Sequence, residues 1–216
     1  MMDQWRDWIS FGFVMGLSLI SGWAIYVFII LPGGDFGWDE AAHALRGLTI
    51  ARDIQKGDWL GFLFDTYRQT YWPPLHSWLV GFSFLVTGPS VVSARSVSLI
   101  IYVITGPLMC LVASRMGRQY GKLAGFTAAL LFLTSPGIIA LAARAMLEMP
   151  AFFCLILTFF LYFRVIDYSD SILNHFLLGL GITLTYFFRS NYGVLLFLTL
   201  FITPLVDNRF NLRAVF

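Results

Sequence analysis

Residues 10–31 form an uncharged run of 22 residues that is closed by Pro32-Gly33-Gly34. A helix needs about 20 mostly apolar residues to cross the hydrocarbon core of a bilayer. This run therefore commits the chain to a membrane. A cleavable leader would carry an apolar region of roughly 7–15 residues ending in small side chains. Here the run ends in Tyr26-Val27-Phe28-Ile29-Ile30, which reads as an uncleaved span. Hydrophobic residues make up 58% of the 216 and charged residues 12%, against roughly 25% charged in a soluble domain. A disordered chain, a nucleic-acid-binding surface and an ordinary soluble enzyme are excluded, because a compact soluble fold could not hide so much apolar surface. The net charge of +2 implies no anionic macromolecular partner. Cys110 and Cys154 both lie inside apolar runs and read as small core residues rather than a disulfide or metal framework.

Five further apolar runs follow, at residues 96–114, 123–143, 151–163, 176–188 and 192–206. The expectation is an all-α polytopic membrane protein with about six transmembrane helices, residues 1–216 forming one transmembrane unit. Orientation follows Lys and Arg in short loops. Arg115, Arg118 and Lys122 crowd one short loop, which is placed in the cytoplasm. Alternation then puts the N-terminus, residues 164–175 and residues 207–213 inside. Residues 33–91, 144–150 and 189–191 fall outside.

The first external loop, residues 33–91, holds six of the 12 acidic residues. The stretch from Trp38 to about Lys56 predicts a helix whose Asp39, His43 and Arg46 fall at i, i+4 and i+7 on one face. Asp39 and Glu40 suit the positive end of its dipole. Ala41, Ala44, Leu45 and Leu48 supply an apolar face. A second helix over residues 75–86 follows Pro73-Pro74. It is too short to span easily, and Trp72, Trp78, Phe82 and Phe84 suit an interfacial position. Two external juxtamembrane helices are therefore expected.

The order of these features resembles the C-type membrane glycosyltransferases that use polyprenyl-phosphate sugars. Their relatives include the aminoarabinose transferase of lipid A and the protein O-mannosyltransferases. The residues that carry the resemblance are Trp38-Asp39-Glu40, Tyr71-Trp72-Pro73-Pro74-Leu75, Gly88-Pro89-Ser90, Ala94-Arg95, Arg144 to Pro150, Gly179-Leu180-Gly181 and Arg189-Ser190-Asn191-Tyr192-Gly193. The resemblance implies that Asp39 is the catalytic carboxylate, with Glu40 beside it, and that Glu148 is the second external acid. It departs from the lipid A branch at Trp72, where that branch has Lys, and at Tyr71, where it has an acid proposed to bind metal. Both departures argue against aminoarabinose transfer to lipid A and against a bound zinc. No cofactor is implied, and no residue pattern supports a divalent metal. The family usually has about twice as many spans. The chain is thus expected to be the amino-terminal portion of a longer protein, inactive in transfer by itself.

A polyprenyl-phosphate sugar is already activated. An enzyme must deprotonate an acceptor hydroxyl, align it with the anomeric carbon and stabilise the leaving phosphate. Asp39 fits the general base, and Glu148 fits a residue that orients the acceptor. His43, Arg46, Arg68, Arg144 and Arg189 are candidates for substrate binding, the arginines for the lipid phosphate. The reading is an inverting hexosyl- or pentosyltransferase at the outer face of a bacterial or archaeal plasma membrane, acting on a lipid, glycan or protein acceptor. The alternatives are a membrane transporter, which would place acids or helix breaks near mid-membrane, and a non-catalytic membrane scaffold.

Overall fold

A computed structural model describes residues 2–206. Ten α-helices run through them: α1 (Met2–Ile25), α2 (Trp38–Lys56), α3 (Trp59–Tyr67), α4 (Leu75–Thr87), α5 (Val91–Met116), α6 (Gly121–Thr134), α7 (Pro136–Ala142), α8 (Glu148–Asp167), α9 (Ile172–Phe188) and α10 (Ser190–Val206). The chain is an all-α polytopic membrane protein. Residues 207–213, expected in the cytoplasm, lie outside the described residues.

Three helices are long and apolar enough to cross a bilayer: Phe11–Ile30, Val91–Met116 and Glu148–Asp167. The first ends in a π-helical turn, Tyr26–Ile30, in which Leu31 N–H donates to the Tyr26 carbonyl at 2.9 Å. The run expected as one span over residues 123–143 is broken. Helices α6 and α7 bend by 62° at Ser135. Pro136 pushes the residue before it out of the helical region, and Ser135 is extended at φ −66°, ψ 120°. The bent pair makes a fourth candidate span. Helices α9 and α10 have 17 residues each. At 1.5 Å per residue that is about 25 Å, short of a roughly 30 Å hydrocarbon core. Among the described residues three helices, or four with the bent pair, have the length and composition of a span, and α9 and α10 are shorter apolar helices.

The loop after the first span holds three helices rather than two. Helix α3 was not anticipated, because Gly57-Asp58 reads as a stop. Gly57 does close α2 with φ 68°. Asp58 then opens α3, accepting a hydrogen bond from Gly61 N–H at 2.8 Å. Helix α5 starts at Val91, ahead of the expected residue 96, because Ser90 caps it by accepting from Ser93 N–H at 3.0 Å.

Helix α5 is the central post and packs against α1, α4, α6 and α8. Its Tyr102 is fully buried, and its hydroxyl donates to the Leu133 carbonyl at 2.7 Å. The bend after α6 strips the last carbonyls of their helical partners, and this bond satisfies one of them. The Ser21 hydroxyl lies 2.7 Å from the Tyr102 hydroxyl. Helices α2 and α4 meet through glycines. A Cβ on Gly47 would sit 2.6 Å from Val80 Cγ1 and 3.2 Å from the Gly81 nitrogen, so only glycine allows this approach. At the opposite end, Arg115 in the last turn of α5 pairs with Asp167 at the end of α8.

Tyr102→Phe leaves the Leu133 carbonyl buried without its donor. It should lower stability by about 1–3 kcal/mol, read as a fall in the unfolding midpoint of the detergent-solubilised protein. An unchanged midpoint would mean that the carbonyl finds another donor.

Candidate active site

Glu40 and Asp39 are adjacent in sequence and opposite in circumstance. Asp39 is exposed. Glu40 is 5% exposed, and both its oxygens are occupied. Oε1 accepts from Arg95 Nε at 3.0 Å and from the Ala145 N–H at 2.9 Å. Oε2 accepts from Arg95 Nη2 and from the Gly37 N–H, each at 3.1 Å. Burial alone would raise the Glu40 pKa. The bonds from Arg95, Ala145 and Gly37 outweigh it and hold the carboxyl below its ordinary range. Arg95 also donates to the Gly34 and Asp35 carbonyls at 3.2 Å. Glu40, expected beside Asp39 as a catalytic acid, accepts four hydrogen bonds from the protein itself, which leaves its carboxylate little capacity for a substrate. It ties α2, the 34–37 turn, α5 and the turn before α8 into one body.

The i, i+4, i+7 face of α2 is present. His43 is 2% exposed, with its ring against Trp72 and His76, both at 5.0 Å between centroids. The Arg46 guanidinium stacks on the same Trp72 at 4.7 Å. His43, expected as a substrate contact, is thus packed inside. His76 was not anticipated; its signal was its place directly after Pro73-Pro74-Leu75. It is fully buried, and neither ring nitrogen has a hydrogen-bond partner. Burial first, then the His43 ring, drive the His76 pKa down to about 3, against an opposing effect of the Ala145 backbone. Burial, Arg46 and Arg189 push His43 down to about 4 while Asp39 opposes them. Both imidazoles are neutral at physiological pH.

Glu148 opens α8 and forms an ion pair with Arg189, which follows α9. Its second oxygen, Oε2, is buried and unpartnered. Arg189, expected at a lipid phosphate, is thereby partly neutralised, and it also stacks on Tyr192 at 5.4 Å. Its charge still reaches His43, as does that of Asp39. Asp39 and Arg189, the partner of Glu148, thus both act on the charge of His43.

The remaining arginines line two cavities. Arg144 is exposed and, with Arg95, lines one of about 540 Å³ whose other walls include Ile29, Gly33, Pro136 and Ile139. Arg46 and Arg68 line a smaller one of about 240 Å³ with Thr49, Asp65 and Gln69. Among the described residues no group of three or more His, Cys, Asp or Glu is placed to hold a metal ion.

Glu40→Gln leaves the buried Arg95 without its counter-ion and should cost about 3–5 kcal/mol, read as a lower melting temperature. Because Glu40 titrates below its ordinary 4.5, its contribution is complete above that pH and is lost as the pH falls through its lower folded value. Acidification below about pH 4.5 should destabilise the parent protein more than Glu40→Gln. Equal acid sensitivity of the two would mean that the pair contributes nothing.

No curated protein and no solved structure matches the chain. The matched family segment starts at Trp72 and takes in His76, Arg95, Arg144, Glu148 and Arg189, while the α2 residues lie ahead of it. The family model for dolichyl-phosphate-mannose-protein mannosyltransferases matches residues 72–214, well over half of the protein, and the chain belongs to that family of membrane glycosyltransferases.

Proposed function

We propose that the protein transfers a hexosyl or pentosyl unit from a polyprenyl-phosphate donor to an acceptor hydroxyl, with Asp39 as general base. The observation that carries this reading is the contrast between the two adjacent acids. Glu40 is clamped by Arg95 and Ala145, Arg95 in turn lines the Arg144 cavity, and the exposed Asp39 is the residue next to Glu40 on α2. That cavity has the two characters the donor needs. Ile29, Ile139 and Ala143 offer apolar walls for a prenyl chain, and Arg144 offers a charge for its phosphate. The acceptor oxygen attacks the anomeric carbon and gives its proton to Asp39. The bond from that carbon to the phosphate oxygen breaks, and polyprenyl phosphate leaves with its charge met by Arg144. A single displacement inverts the anomeric centre. Glu148, with one oxygen on Arg189 and the other free, fits a residue that orients the acceptor.

The site is assigned to the extracytoplasmic side of a bacterial or archaeal plasma membrane, with the N-terminus inside. Two sets of contacts support the alternation behind this. The Glu40–Ala145 bond and the Glu148–Arg189 pair join the segments expected outside. The Arg115–Asp167 pair joins segments expected inside.

Asp39→Asn keeps the shape and removes the base. It should reduce sugar transfer by the protein at least about 100-fold, and Glu148→Gln should reduce it less. Near-normal transfer by Asp39→Asn would remove Asp39 from the role. For orientation, a cysteine replacing Gly34 should react with an impermeant thiol reagent applied to intact cells, and one replacing Gln119 should not. The native Cys110 and Cys154 are both buried and give a low background. The reverse pattern would place the site in the cytoplasm.

A further inference from the structure

The Arg46–Arg68 pocket is separate from the cavity assigned to the donor and has a different chemistry. Its lining residues are Arg46, Thr49, Asp65, Arg68 and Gln69, and its volume is about 240 Å³. All five lining residues are polar or charged, unlike the Ile29, Ile139 and Ala143 walls of the donor cavity. The pocket is pre-formed. Gln69 is 9% exposed and is held from two sides: it accepts from the Ser77 hydroxyl at 2.6 Å and donates to the Asp65 carbonyl at 3.1 Å. Trp78 Nε1 donates to the Thr66 hydroxyl at 3.0 Å and fixes the end of α3 against α4. Arg46 stacks on Trp72 and Arg68 on Phe64, so each guanidinium is held by one face while its edge stays available for hydrogen bonds. Arg46 Nη1 is buried and has no partner. A buried guanidinium nitrogen without an acceptor is costly.

We propose that this pocket binds an anionic sugar unit of the acceptor, one bearing a phosphate or a carboxylate, so that the acceptor is an acidic glycan. The anion lies between Arg46 and Arg68. Thr49, Gln69 and the Asp65 carboxylate meet the ring hydroxyls, and Asp65 repels a second negative charge. Asp39 lies seven residues before Arg46 on the same helix face, about 10 Å away along the axis. That distance matches a sugar unit next to the anionic one, whose hydroxyl then reaches the base. The proposal rests on the reading of Asp39 as base and of the Arg144 cavity as the donor site.

The test is equilibrium binding of glucose 6-phosphate and glucuronate to the purified protein in detergent, with glucose and a phosphoserine peptide as comparisons. Both acidic sugars should bind at least about ten-fold more tightly than glucose, as expected for charge-assisted hydrogen bonds. Arg46→Gln and Arg68→Gln should each weaken them by a similar factor. Arg68→Lys, at an exposed position, should retain most of the binding, and Arg144→Gln should leave it unchanged. A saturating polyprenyl phosphate should not displace them. Failure of both acidic sugars to bind, equal binding of glucose, or indifference to Arg46→Gln and Arg68→Gln overturns the proposal. Displacement by polyprenyl phosphate also overturns it and assigns the pocket to the donor. Tighter binding of the phosphoserine peptide overturns it in favour of a protein acceptor. If polyprenyl phosphate binding is insensitive to Arg144→Gln while the sugars still follow Arg46 and Arg68, the donor assignment fails and the pocket stands.

Discussion

The buried Glu40–Arg95 ion pair holds the site together. Taking a carboxylate and a guanidinium out of water costs several kcal/mol for each ion. The cost is offset here because every part of the pair is bonded. Arg95 reaches Glu40 through two nitrogens and the 34–35 carbonyls through two more contacts. Glu40 in turn takes the Gly37 and Ala145 amides. Four segments distant in sequence meet at this one charge pair. A surface helix such as α2 has an apolar side to bury but nothing in its amphipathicity that sets its azimuth. The ion pair sets it, and Asp39 is carried to its place as the next residue.

Packing then separates charge from shielded apolar surface. The glycine contact at Gly47 and Gly81 brings α2 and α4 so close that His43 and His76 lie ring to ring, with Trp72 against His43. Both imidazoles lose their charge there, through burial first. Two cations near α2, Arg46 and Arg68, are held by aromatic faces and line the small pocket. On the other side, the 62° bend at Ser135 moves α7 out of line with α6. Pro136 and Ile139 thereby become a wall of the cavity that also holds Arg144. Two cavities of unlike character result: α2 lines the small one through Arg46 and Thr49, and Arg95, the partner of its Glu40, lines the other. A transporter would instead place its acids near mid-membrane.

Much of this was legible in the chain itself. Uncharged runs of bilayer length point to membrane helices: those at 10–31 and 96–114 lie in helices long and apolar enough to cross, while the one at 123–143 is bent at Ser135. The 3.6-residue repeat puts Asp39, His43 and Arg46 on one face whatever else the chain does. Proline and glycine mark where helices stop. Such statements depend on local sequence alone: hydropathy, helical period and backbone restriction. The motif order that resembles polyprenyl-phosphate-sugar glycosyltransferases pointed to the family of membrane glycosyltransferases to which the chain belongs.

Other properties required the three-dimensional contacts. Asp39 and Glu40 are both helix-initial acids by sequence. Only the arrival of Arg95, 55 positions later, and of the Ala145 amide, 105 positions later, makes one a clamp and leaves the other exposed. His43 reads as an interfacial polar residue until α4 covers it with His76. Arg189 reads as a free cation until Glu148 meets it. In each case the deciding quantity is the local dielectric and the identity of the nearest opposite charge. Both are set by long-range packing, so hydropathy and helical period along the chain determined the helices and the face of α2, while tertiary contacts decided which of its charged groups are spent on structure and which remain available for chemistry.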